Sequence, residues 1–294
     1  MNYSRLGQTI ALALLASTGM ALAQSTLGVV VGTVKDGSGA VLTAASIRLT
    51  NSGENTTRDG KATADGSFEF QNVKPGVYAV KVSAPGFRAF VASDIRVAAR
   101  QTVRVDADMQ LGDVTQVVEV SSSAGVIATD SPIISSTLSA EKVLNLPGNV
   151  RGVSTSPYAL IATLPGVQSD NGGGYSIQGG LPAQSESSVD GISITAATGN
   201  SPQRNLFPSV ESIAEIRVQG VGNNAEFGQS GDVTAISKGG SNQLHGAGFW
   251  YHQNRALDAR SFGQAALPSK ISNVFGFTVG GPLVLPKLYN GKNR

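Results

Sequence analysis

The chain has 294 residues with 36 glycines, no cysteine and only 14% charged residues; against a usual ~7% glycine and ~25% charge, that balance disfavours a helical bundle or coiled coil. The missing thiols exclude disulfides, thiolate metal sites and a cysteine nucleophile. With 22 Lys+Arg against 20 Asp+Glu the net charge is only +2, too little for a positive stripe along a phosphate backbone, so no nucleic-acid partner is expected.

Met1-Asn2-Tyr3-Ser4-Arg5 leads into the apolar run Ile10-Ala11-Leu12-Ala13-Leu14-Leu15-Ala16, which closes at Ala21-Leu22-Ala23. A charged start, a short apolar stretch and an Ala-x-Ala end predict a signal peptide over residues 1–23, cleaved after Ala23. Ser17, Thr18 and Gly19 interrupt the run before the ~20 apolar residues that a spanning helix needs. No later stretch meets that length, so any membrane residence would use β-structure.

Residues 27–110 read as a first unit. Val29-Val30-Val31-Gly32-Thr33-Val34 is β-rich and stops at Lys35-Asp36-Gly37-Ser38-Gly39, whose Asp-Gly pair tolerates the positive φ of a tight reversal. Apolar and polar residues alternate in Ala45-Ser46-Ile47-Arg48-Leu49-Thr50, in Pro75-Gly76-Val77-Tyr78-Ala79-Val80-Lys81-Val82, and in a single predicted strand over 102–109 with Val103, Val105, Ala107 and Met109 on one face. Short strands separated by turn signals predict two sheets packed face to face. Asp65-Gly66-Ser67-Phe68-Glu69-Phe70, Val73-Lys74-Pro75-Gly76-Val77-Tyr78 and Ala84-Pro85-Gly86-Phe87 together resemble the carboxypeptidase regulatory-like domain. That resemblance implies a transthyretin-like β-sandwich and brings no zinc site; the stretch has no histidine to ligate one. Phe68, Phe70, Tyr78 and Phe87 could form a sugar-stacking platform, but the period-two spacing of Phe68 and Phe70 favours the core.

Residues 115–240 read as a second unit, of mixed short helices and strands. Small residues at Ser121-Ser122-Ser123-Ala124-Gly125 have linker composition. Ser156-Pro157 at one end and Pro165-Gly166 beyond the other bracket a short helix. Ser209-Val210-Glu211-Ser212-Ile213-Ala214 starts helical and passes into the strand Glu215-Ile216-Arg217-Val218. The ordered series Leu164-Pro165-Gly166-Val167, Ile177-Gln178-Gly179-Gly180, Val189-Asp190-Gly191-Ile192, Ile213-Ala214-Glu215-Ile216-Arg217-Val218, Ala225-Glu226-Phe227-Gly228 and Ser237-Lys238-Gly239-Gly240 resembles the plug domain of TonB-dependent outer-membrane receptors. Gln178 stands where that family often carries arginine. On this resemblance Gly179, Gly180, Asp190, Gly191, Glu226 and Gly228 are the structural plug signature. The segment Val117-Val118-Glu119-Val120 is the candidate contact for the energy-transducing TonB protein, although an ordinary strand or linker fits it equally well. Asp190-Gly191 is equally a plain Asp-Gly reversal, so the pair is not read as a ligand site.

Residues 241–294 read as the start of a transmembrane barrel. Leu244 to Gln253 has about the 9–11 residues that cross a bilayer as a strand, with Ala247, Phe249 and Tyr251 on one face. Its aromatic density suits an interface girdle. Phe275, Phe277 and Val279 alternate with Gly276, Thr278 and Gly280, apolar toward lipid and small or polar toward a lumen. Gly240-Ser241-Asn242-Gln243-Leu244-His245-Gly246, Asn254-Arg255-Ala256-Leu257-Asp258-Ala259-Arg260 and Val279-Gly280-Gly281-Pro282-Leu283 resemble the barrel opening of the Oar-like subgroup. Since a closed single-chain barrel needs at least eight strands, the sequence reads as a receptor truncated early in its barrel. The fold expected is therefore mainly β: a sandwich, an α+β plug and the first strands of an incomplete outer-membrane barrel.

Little in the sequence supports an enzyme. Gly220-Val221-Gly222-Asn223-Asn224-Ala225 matches a dinucleotide fingerprint on paper, but Glu226-Phe227-Gly228-Gln229-Ser230-Gly231 gives two glycines where an amphipathic helix should follow. His245 and His252 are seven apart, an odd spacing that puts them on opposite faces of a strand. No nucleophile elbow, H-E-x-x-H or P-loop occurs, and no cofactor is expected. Two functional classes remain: an exported outer-membrane receptor for TonB-driven uptake of a large ligand, saccharides included, with the sandwich facing the periplasm, or a secreted or periplasmic carbohydrate-binding or adhesin-type sandwich protein.

Overall fold

The computed structural model describes residues 25–112, 117–121, 133–146, 157–169, 174–196, 206, 208–220, 222, 229–257, 259–260, 262–263, 271–285 and 287–293. The signal peptide, Glu226, Gly228 and most of the dinucleotide-like stretch lie outside the described residues.

Nine strands form the first unit: β1 (Gly28–Asp36), β2 (Ser46–Asn51), β3 (Thr57–Lys61), β4 (Ser67–Val73), β5 (Gly76–Ser83), β6 (Ala89–Val97), β7 (Thr102–Arg104), β8 (Ala107–Met109) and β9 (Val117–Ser121). One sheet runs β4-β1-β7, with β8 also on β1; the other runs β3-β2-β5-β6-β9. Period-two alternation turns Val30, Val34, Ile47, Leu49, Val80, Val82 and Val103 into one shared core, all almost fully buried. Phe68 and Phe70 join it, with ring centroids 6.2 Å apart in an edge-on pair. They are core, as their spacing predicts, and Tyr78 is buried with them.

Three local details differ from the sequence reading. The predicted strand over 102–109 is broken, because the Asp106 carboxylate accepts from Thr33 N–H at 2.9 Å and from Thr33 Oγ1 at 2.8 Å. That side-chain capture takes the chain out of the ladder between β7 and β8, each of which pairs parallel with β1. At the first turn the left-handed φ falls on Gly39 (+87°) rather than Gly37, while Asp36 Oδ1 accepts from the N–H groups of Ser38 and Ala40. Finally, β9 pairs with a sandwich strand although its sequence falls in the stretch read as the second unit.

The second unit contains β10 (Ser135–Ser139), α1 (Ala140–Asn145), a 3₁₀ turn over Pro157–Thr163, β11 (Val167–Ser169), β12 (Tyr175–Ile177), β13 (Ser185–Val189), β14 (Ile192–Ser193), a 3₁₀ turn over Val210–Ser212, β15 (Ile213–Gln219) and β16 (Gly231–Ser237). The helix expected after Ser156 is thus of the tighter type, with Pro157 as its first residue. Five strands make one sheet in the order β10-β15-β16-β13-β14. Ile216, Val218, Val233 and Ala235 point from it into a core closed by Val143 of α1 and by Tyr158, Leu160 and Ile161 of the first 3₁₀ turn.

Two long strands follow, β17 (His245–Asn254) and β18 (Ile271–Gly280), paired antiparallel from His245↔Gly280 to Asn254↔Ile271 without a bulge. A short pair, β19 (Val284–Leu285) and β20 (Tyr289–Asn290), comes last. Among the described residues no helix is long and apolar enough to cross a membrane.

Candidate functional site

The turn between β13 and β14 has Asp190 at φ +49° and Gly191 at φ +84°. Two consecutive left-handed residues are what a two-residue hairpin of the favoured twist requires, and aspartate and glycine tolerate them best. Asp190 also ties the turn to β16. Its N–H donates to Ala235 O at 2.9 Å, and its Oδ1 accepts from Ser237 N–H at 2.9 Å. A second reversal follows β12, where Gln178 (φ +49°) and Gly179 (φ +83°) are left-handed and Gly180 N–H donates to Ile177 O at 3.0 Å. Gln178 N–H donates to Gly166 O at 2.6 Å, which brings the Leu-Pro-Gly and Ile-Gln-Gly-Gly motifs together. A Cβ on Gly180 would stand 3.0 Å from Ser230 Oγ, so the chain passes close to the start of β16 there. Four of the six signature residues therefore shape two turns of one body.

The segment Val117–Ser121 is extended and pairs parallel with β6, from Ala89↔Val117 to Ser93↔Ser121. Among the described residues it is the edge strand of its sheet, with one side of its backbone facing no other strand.

The β17–β18 hairpin has two unlike faces. Ile271, Phe275, Phe277 and Val279 of β18 are exposed, and Trp250, opposite Phe275, is 70% exposed beside them. The other face carries Ser272, Val274, Gly276, Thr278 and Gly280 with Phe249 and Tyr251. Ala247, Phe249 and Tyr251 share one face of β17, as their spacing predicts, and Trp250 lies on the opposite face with Phe275. Tyr251 turns toward the second unit, its hydroxyl donating to the carboxylate of Glu211. His245 and His252 fall on opposite faces, and His252 Nδ1 lies 2.7 Å from Asn273 Oδ1. Among the described residues no cluster of three or more His, Asp or Glu could hold a metal ion.

A group that sequence reading missed lies on the polar face of the five-stranded sheet. Glu215, Arg217 and Gln219 alternate along β15, Asp232 and Thr234 along β16, and the register sets Arg217 opposite Thr234 and Gln219 opposite Asp232. All five are buried. Burial pushes the carboxyls of Glu215 and Asp232 above the usual range, opposed at Glu215 first by the Ala99 N–H and at Asp232 first by Arg100. Burial, followed by the neighbouring Arg100 charge, lowers Arg217 to about 10. The one signal for this group was the alternation of charged with apolar residues in both strands, a pattern that ordinarily marks a solvent face.

With that geometry in place, residues 29–110 match the carboxypeptidase regulatory-like domain and residues 236–294 match an outer membrane beta barrel domain. The TonB-dependent transporter Oar of Myxococcus xanthus is 28% identical over 243 residues, 77% of this chain. Together these matches support a fragment of a TonB-dependent receptor. The chain spans only 22% of the length of the Myxococcus relative. Among solved structures, the siderophore receptor PirA of Acinetobacter baumannii is 25% identical with a TM-score of 0.39, over 51% of this chain and 22% of that one. PirA of Pseudomonas aeruginosa is 23% identical with a TM-score of 0.35, over 51% and 26%.

Proposed function

We propose that this chain supplies the sandwich, the plug and the opening barrel strands of a TonB-dependent outer-membrane receptor that takes up a large ligand. On this reading residues 1–23 export the chain, and residues 27–110 form a transthyretin-like sandwich facing the periplasm. Residues 115–240 are the plug, and residues 241–294 begin the wall of the pore. The observation that carries it is the hairpin. Strands of ten residues, with an exposed row of Trp250, Ile271, Phe275, Phe277 and Val279, suit hydrocarbon. Their other face is rich in glycine and meets the middle unit through Tyr251 and Glu211. Lipid on one side and a compact body on the other is the arrangement of a filled barrel wall.

Val117-Val118-Glu119-Val120 is the segment offered to TonB, because it is already extended and lies at a sheet edge, where another strand can pair. Pulling there would rearrange the plug and open a path. A photo-crosslinking residue at position 118, in Gram-negative cells that contain TonB, tests the reading. It predicts a TonB adduct in the outer-membrane fraction. The chain recovered soluble in the periplasm, without adduct, would contradict it.

A further inference from the structure

A strand whose faces alternate between core and charge normally gives the charge to water. The five-stranded sheet does not. Its apolar face covers the second core, and its polar face is covered by a turn of the sandwich, residues 98–101, between β6 and β7. The turn is shaped for projection. Gln101 N–H donates to Ala98 O at 3.1 Å, Gln101 Oε1 accepts from Ala98 N–H at 3.0 Å, and Arg100 takes a left-handed φ of +55°.

From that tip, Ala99 N–H donates to Glu215 Oε1 at 2.6 Å, and Arg217 donates through Nη1 to Ala99 O. Arg217 Nη2 also donates to Ser135 Oγ at 3.0 Å. Arg100 Nη2 donates to both Asp232 Oδ2 and Thr234 Oγ1. Thr234 in turn donates to Asp232 Oδ2 at 2.8 Å and lies 3.1 Å from Ser188 Oγ. The ion pair is almost dry: the Arg100 side chain is 7% exposed and that of Asp232 is 0%. A second, neutral contact lies elsewhere, where Asn242 N–H donates to Gly53 O at 3.1 Å and Asn242 Nδ2 to Glu54 O at 2.5 Å.

We infer that the polar face of the middle sheet is a docking surface for the sandwich, closed by the Arg100–Asp232 pair and able to open without unfolding either unit. The chemistry favours an openable joint over a permanent one. Separating two apolar faces exposes hydrocarbon to water, whereas separating Arg100 from Asp232 returns both charges to full hydration. Asp232 Oδ1, Arg217 Nε and Gln219 Oε1 are buried in the same layer without a hydrogen-bond partner among the described residues, which further lowers the advantage of the closed state. Polar interfaces of this kind join domains that move relative to each other. The joint deepens the receptor reading: the first residues after the turn lead through β7 and β8 toward the segment proposed to meet TonB, so the sandwich and the plug are coupled until this pair parts.

The absence of cysteine makes the test direct. Spin labels on cysteines replacing Lys81 of the sandwich and Ile192 of the middle unit, both exposed, report the distance between units in the full chain. One narrow distribution is expected. Arg100→Asp and Asp232→Arg should each broaden it at least twofold, and the double exchange should restore it. Should the Asp232 variant misfold, Arg100→Ala decides, since it changes only the tip of the turn; it should broaden the distribution and leave the circular dichroism of the chain unchanged. A broad distribution in the parent, a narrow one in Arg100→Ala, or failure of the exchange to restore order would overturn the joint. None of these results depends on TonB, so they are separable from the crosslinking outcome.

Discussion

Phe249 faces Gly276 across the β17–β18 ladder, and its ring lies over the glycine: a Cβ there would stand 2.6 Å from Phe249 Cζ. The pairing fixes which way β17 looks. With Phe249 folded onto the glycine-rich face, its neighbour Trp250 must share the opposite face with Phe275 and Phe277. Gly276→Val should displace the ring, and Phe249→Ala should make room for the new side chain. Amide exchange of the hairpin in detergent should show the two changes coupled by about 0.5–3 kcal/mol, as residues in direct contact are. Independent, additive effects would place the ring elsewhere.

Gly32 in β1 makes a tighter demand. A Cβ at this position would meet Val105 O at 1.9 Å and Phe68 Cζ at 2.6 Å. The carbonyl belongs to the backbone just before β8 and cannot rotate away as a side chain can. Gly32→Ala should therefore cost about 1–3 kcal/mol, the usual range for overpacking. Gly37→Ala, with open space around it, should change stability by less than about 0.5 kcal/mol. Denaturation curves of the two variants check the contrast.

Acid should loosen the turn before β4. The Thr63 hydroxyl, then the Ser67 hydroxyl and N–H, hold the Asp65 carboxyl down to about 2 from an ordinary 3.8. Because the folded value is the lower one, these bonds contribute stability above the ordinary value and lose it as pH falls toward 2. Carbon-detected titration of the Asp65 carboxyl should give a midpoint near the lower figure. Asp65→Asn should flatten this part of the acid dependence. A midpoint near 3.8 would mean that the turn does not hold the carboxylate.

Much of this architecture was legible in the chain, for reasons that can be stated. The alternation at Phe68 and Phe70, and again at Phe275, Phe277 and Val279, encodes burial or exposure directly, since side chains alternate across a strand. The reversal at Asp190-Gly191 was readable because few residues accept the φ it needs. The break at Asp106 was not, because it depends on Thr33, a strand distant in sequence. The shared face of Ala247, Phe249 and Tyr251 was readable from alternation, but alternation gives two faces without saying which one meets the body; Tyr251 and Glu211 decide that. The least legible feature was the Arg100–Asp232 pair. Its members are separated by 132 positions, and charged residues in an alternating strand read as solvated unless another unit covers them.

The central claim is that the hairpin has lipid on one side and the plug on the other. Trp250 is the only tryptophan, so its fluorescence reports one face without correction. With the full chain bound to vesicles carrying bromine in their acyl chains, the account predicts strong quenching of Trp250. It predicts weak quenching when the indole is moved one residue by combining Phe249→Trp with Trp250→Phe. Equal quenching at the two positions, or stronger quenching at 249, would contradict it.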